Sequence, residues 1–154
     1  MQNNIAGSNE HIYKGLTLEF KQISRLKTSG GNGDIYDIEI LNDETKKNTC
    51  VAKFLKDKWR TDPIRSERFK REIDASRELS KTINGILPIY DYSELQNNNK
   101  ETGWFIMPKA KTTEELFGST TSIEQKIKIL LDLATIIKCI NENNKVTIKP
   151  NTLY

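Results

Sequence analysis

The chain has 154 residues, a formal charge of +3, 36% hydrophobic and 29% charged residues, which fits one domain with a usable core, or two small ones, in a polar globular protein. Basic and acidic residues alternate without a basic, aromatic-laced stripe, and no apolar run reaches bilayer length, so a nucleic-acid surface and a membrane protein are excluded. A polar start (Met1 to Glu10) is not a signal peptide, a lone histidine (His11) argues against a zinc site, and the distant Cys50 and Cys139 read as buried thiols in a reducing cytoplasm.

Residues 1–15 are rich in Asn and poor in apolar side chains, and read as a flexible lead-in. Leu16, Leu18 and Phe20 alternate with polar residues and suit an extra edge strand, and Phe20 to Leu26 a first full strand. Gly30, Gly31 and Gly33 then form a turn in which backbone amides can come close to a ligand, because no Cβ stands in the way. A second strand follows, with Ile38 and Ile40 on a dry face and Asp37 and Glu39 on a wet one. A third strand, Cys50 to Leu55, carries Lys53 amid apolar neighbours. Because a strand and not a helix follows the last glycine, the turn is neither a dinucleotide fingerprint nor a Walker loop, both of which require a helix N-terminus.

Asp62-Pro63 is a helix start, a capping side chain followed by proline at the first helical position. Phe69, Ile73, Ser76 and Leu79 then mark the inward face of a helix, and Glu72 lies on the same stripe. An inward carboxylate needs a cation, and Lys53 has the complementary need, so the two are expected to pair. Asn84-Gly85 is a left-handed helix stop, Ile86 to Tyr92 reads as a strand, Gln96 to Thr102 as a hairpin tip, and Trp104 to Met107 as the most apolar strand. Thr112-Thr113-Glu114-Glu115 opens a short helix that ends near Gly118. The longest helix runs from a Ser122 cap to Asn141, with Ile123, Ile127, Leu130, Ala134 and Ile137 on one stripe and Leu133, Ile136 and Ile140 on a second.

Strand, glycine turn, strand, strand lysine and helix glutamate, in that order, resemble the nucleotide lobe of the protein-kinase family, its bacterial serine/threonine branch in particular. The resemblance spans roughly residues 16–154 and rests on Gly30/Gly33/Ile35, Lys53, Glu72 and a Lys149-Pro150 remnant of the catalytic loop. It implies an α+β fold: a five-stranded antiparallel sheet with one packed helix over 16–110, then a partial helical C-lobe over 111–154. It further implies a nucleotide site at Gly30, Gly31, Gly33, Ile35, Val51, Lys53, Glu72 and Met107, with Met107 as gatekeeper and Ala52 at the adenine end.

The end of the chain departs from the family. Thr147 stands where the base aspartate belongs, Thr152 falls at the metal-binding asparagine, and Asp-Phe-Gly is absent. Phosphoryl transfer depends on positioning and on metal-borne charge, and two of those parts are missing. The expectation is an incomplete kinase-like domain that contacts ATP weakly and without Mg²⁺, with no intact catalytic residue and no phosphotransfer by itself. The alternatives are half of a split kinase completed by a partner chain, a non-catalytic scaffold, or a small β-domain that binds through its glycine hairpin. Helix 122–141, through Ile129, Leu133, Ile136 and Ile140, is the expected surface for a protein partner or a homo-oligomer.

Overall fold

A computed structural model describes residues 11–26, 32–93, 102–111, 117 and 121–147. The chain divides into two compact units, residues 1–73 with 89–109, and residues 74–88 with 110–154.

The first unit is an antiparallel sheet of strands β1 (Ile12–Lys14), β2 (Glu19–Arg25), β3 (Gly33–Ile40), β4 (Cys50–Leu55), β5 (Asp91–Tyr92) and β6 (Trp104–Pro108). Their order across the sheet is β1-β2-β3-β4-β6-β5. The sheet therefore has six strands, not five. The sixth is β1, inside the stretch read as a lead-in. It escapes the alternation rule because Ile12 is exposed and Tyr13 alone turns inward, to stack on Phe20 at 5.0 Å and meet Phe54 edge-on at 5.1 Å. Leu16 and Leu18, expected in an edge strand, lie instead in the turn that leads to β2. On β2 the register with β3 shifts between Gln22 and Ser24. The extra residue, Ile23, is 57% exposed, as expected of a bulge.

The sheet curls around a core of Leu18, Phe20, Ile38, Ile40, Cys50, Ala52, Phe54, Trp104 and Ile106. Its two edges meet through one side chain. Asp91, on the edge strand β5, is 2% exposed and accepts from the amides of Leu16 (3.1 Å), Thr17 (2.8 Å) and Leu18 (2.7 Å), and from Thr17 Oγ1 (3.3 Å). These donors lie in the turn after β1, at the opposite edge of the sheet order. Asn42 fastens the same turn from the β3 end, with its side chain accepting from Glu19 N and donating to Thr17 O, both at 2.9 Å.

The other face of the sheet receives helix α1 (Pro63–Thr82). Asp62 Oδ1 caps it by accepting from the amides of Ile64 and Arg65 at 3.0 Å, as the Asp-Pro start predicts. Phe69 and Ile73, both buried, pack with Leu55 and Phe105. Of the expected strand from Ile86 to Tyr92, only Asp91–Tyr92 forms. Pro88 has no N–H to give a ladder, and hydrogen bonding to β6 begins at Tyr90 N, 2.9 Å from Ile106 O. The hairpin tip and the short helix read at Thr112 to Glu115 lie outside the described residues.

In the second unit the end of α1 stops at Gly85, which adopts φ +98°, the left-handed conformation expected of Asn-Gly. Helix α2 (Ile123–Thr147) is opened by a reciprocal cap, with Ser122 N donating to Gln125 Oε1 at 3.0 Å and Gln125 N to Ser122 Oγ at 3.2 Å. Among the described residues no helix is long and apolar enough to cross a membrane.

Candidate functional site

Alternation along β4 splits its side chains between two environments. Cys50, Ala52 and Phe54 belong to the curled core, while Leu55 packs with α1. Val51 and Lys53 share the α1 face with Leu55 by the period of two. Across the ladder Lys53 is paired with Ile35 on β3 and Phe105 on β6, and Val51 with Asp37 and Met107. Cross-strand partners share a face, so Ile35, Val51, Lys53 and Met107 form one contiguous patch on that face of the sheet. Ala52, expected at the adenine end, is not part of it. It is fully buried on the opposite face, one residue out of phase with Lys53.

α1 delivers the acidic partner. Glu72 immediately precedes the buried Ile73, and its carboxylate forms an ion pair with Lys53 through Oε1 and Nζ. The lysine side chain is 19% exposed and the glutamate 39%. The ammonium is thus largely withdrawn from water, and it also lies 5.7 Å from the centre of the Phe105 ring. Gly33 makes room for the lysine stem. A Cβ there would lie 2.8 Å from the carbonyl oxygen of Phe54 and 2.9 Å from Lys53 Cε. Beside this pair, Lys109 Nζ meets Asp37 Oδ1 at 2.6 Å, a second pair on the same side of the sheet that sequence reading missed. The result is a cationic centre held by a carboxylate, bordered by aliphatic side chains, and suited to an anionic group attached to an apolar ring.

Other expected site residues lie elsewhere. Gly30, Gly31 and Lys149 fall outside the described residues. Thr147 falls on the last turn of α2, which continues beyond the expected end at Asn141, so the backbone of 145–147 is helical rather than a loop. Among the described residues no three His, Cys, Asp or Glu side chains gather as a metal-binding group.

A second concavity, about 370 Å³, is lined by Tyr13, Tyr36, Phe54, Asp34, Lys56 and Asp57 among others. Its charged groups already have partners: Asp34 meets Arg25 at 2.7 Å and Lys56 at 3.8 Å, and Asp57 accepts a hydrogen bond from Thr102 at 2.7 Å. Three groups near the β3–β4 connection have shifted acidities, Asp43, Lys46 and Cys50, the Lys46 ammonium being raised by its hydrogen bond to Asp43. Hydrogen bonds from the Lys46 ammonium and from Thr45 hold the Asp43 carboxyl at about 2, and burial pushes the Cys50 thiol up. Cys50 lies in the core and Thr49 Oγ1 is 3.8 Å from its sulfur, so it is a packing residue.

No protein-family model matches the chain, and no curated protein is significantly similar to it.

Proposed function

We propose that the first unit is a nucleotide-holding lobe of protein-kinase type, one that binds the phosphates of ATP without transferring them. The observation that carries this reading is the Lys53–Glu72 pair, a strand lysine oriented by a helix carboxylate on a patch that also holds Ile35, Val51 and Met107. Lys53 supplies the cation for a phosphate, Glu72 keeps that cation from folding back onto the sheet, and the aliphatic patch accepts the base. Gly33 keeps the approach to Lys53 open at the start of β3.

ATP would bring its own phosphoanhydride chemistry, but this chain offers little to exploit it. At the His-Arg-Asp place the sequence carries Lys145-Val146-Thr147, and at the place of the metal-binding asparagine Thr152, so neither that base nor that ligand is supplied there. Binding should therefore be weak and nearly indifferent to Mg²⁺. Titration calorimetry with ATP, with and without Mg²⁺, tests the reading directly. The expected result is weak binding in both buffers that Lys53→Met abolishes. No heat at all, or tight binding that requires the metal, overturns it.

A further inference from the structure

α2 exposes a regular apolar seam. Ile123, Ile127, Leu130 and Ile137 are 65%, 52%, 56% and 57% exposed, and Ala134 is exposed with them. Of the four residues expected to form an interface, Ile129, Leu133, Ile136 and Ile140, Leu133 alone is exposed. Ile129, Ile136 and Ile140 are half-buried, and Ile136 Cδ1 lies where a Cβ on Gly85 would stand, 2.5 Å away, so this face is taken up within its own unit. The exposed stripe advances by four, three, four, three and four residues, from Ile123 through Ile127, Leu130, Ala134 and Ile137 to Asn141. That is the spacing of a coiled-coil seam, with Ile127, Ala134 and Asn141 at a and Ile123, Leu130 and Ile137 at d.

We propose that the protein self-associates through this seam, two copies of α2 packing antiparallel about a two-fold axis near residue 132. Two features of the sequence select this occupant and this direction. The first is volume. Antiparallel seams place a opposite d, so Leu130 fills the space beside Ala134 of the second copy, and Ile127 meets Ile137. A parallel pair would set Ala134 against Ala134 and leave a gap in the middle of the seam.

The second is charge. Antiparallel packing brings e positions together and g positions together. Glu124 then faces Lys138 of the second copy, and the two-fold axis repeats the pair, while Leu131 meets Leu131 and Leu133 meets Leu133. Leu131 and Leu133, 63% and 47% exposed, widen the apolar contact at its centre. Parallel packing would set Lys126 against Leu131 and Leu133 against Lys138, which matches no charges. Among the described residues Lys138 makes a long ion pair within its own helix, 3.9 Å to Glu142, and its side chain is 75% exposed, so it can swing to a partner. A seam of less than three heptads gives a weak, micromolar dimer. This inference is independent of the nucleotide reading, since it uses none of the residues around Lys53.

Sedimentation velocity on the full chain, from about 1 to 100 µM, decides it. Wild type should form a dimer in that range. Leu130→Glu, introduced twice by symmetry at an exposed position, should weaken the dimer at least about a hundredfold. Lys138→Glu should weaken it about tenfold, and Glu124→Lys in the same chain should restore most of that loss, because the two positions are far apart within one helix and adjacent only between antiparallel copies. A wild-type monomer at every concentration would mean that the seam is covered by something other than a second copy. A dimer indifferent to Leu130→Glu, or a charge swap without recovery, would equally overturn the proposal.

Discussion

Asp91 Oδ2 accepts the amide of Leu18 at 2.7 Å across 73 residues of sequence, and it thereby ties one edge of the sheet to the turn beyond the other. The carboxylate also takes the amides of Leu16 and Thr17, so it satisfies a turn whose N–H groups no strand can pair. Asp91→Asn puts an N–H₂ where an acceptor is needed, and should destabilise the protein by about 3 kcal/mol in urea unfolding. Gly15→Ala should act on the same contact, because its Cβ would fall 2.3 Å from Asp91 Oδ2 and 2.8 Å from Trp104. An Asp91→Asn protein as stable as wild type would show that the clasp does not hold the sheet.

The Lys53–Glu72 pair should respond unequally to loss of either member. Lys53→Met removes the buried charge and leaves Glu72, 39% exposed, to water, so the cost should stay below about 1 kcal/mol. Glu72→Ala strands an ammonium that is only 19% exposed and should cost about 2 kcal/mol. Urea melts of the two variants supply the comparison. Equal costs would mean that both groups are solvated in solution.

Gly85 faces two constraints, a backbone at φ +98° and a neighbour, Ile136 Cδ1, 2.5 Å from the position of a Cβ. Gly85→Ala should therefore cost about 2 kcal/mol or more. Trimming the neighbour with Ile136→Val should recover only the steric part, and the backbone strain should persist in a double-mutant cycle. Complete recovery would locate the whole cost in packing.

Acid should release the β3–β4 connection late. The Asp43 carboxyl is lowered from 3.8 to about 2 by hydrogen bonds from Lys46 and Thr45. A depressed carboxyl contributes stability above its unfolded value, and that contribution fades as pH falls from about 4 toward 2. Asp43→Asn should flatten the stability–pH curve in this window and leave it unchanged near neutrality in shape. Titration followed by the carboxyl resonance of Asp43 reads the shift itself, and a midpoint near 3.8 would refute it.

Much of the architecture could be read from sequence wherever a pattern repeats. β4 begins and ends as expected because Cys50 to Leu55 is a continuous apolar strand broken only by Lys53, and α1 starts at the Asp62-Pro63 signal. The pairing of Lys53 with Glu72 was legible because each charge on an inward face requires the other. Single-residue features were not legible. β1 carries one inward aromatic, Tyr13, and one residue makes no period. Asp91 was not singled out, because its partners are amides, whose need for an acceptor leaves no trace in residue type. Ala52 was placed at the adenine end, although a period of two puts it on the face opposite Lys53, in the curled core. For α2 the composition showed two apolar stripes, but which of them would be exposed depends on where Gly85 lies, and that is a tertiary fact.

The Asp91 clasp also bears on the order in which the sheet assembles. Strands β2, β3 and β4 follow one another in sequence and pair as neighbours, so their loops close at small entropic cost. The clasp joins residues separated by 73 to 75 positions and can form only after β6 and β5 have been added. Closure of the curl is therefore expected to come late, with this long-range contact made after the rate-limiting barrier. In stopped-flow chevrons, Thr17→Ala, which removes one donor to Asp91, should speed unfolding and leave the refolding rate nearly unchanged. A mainly slowed refolding limb would place the clasp inside the nucleus instead. With late closure, β1 peels away first when the protein opens locally, which leaves β2 as a temporarily unpaired sheet edge.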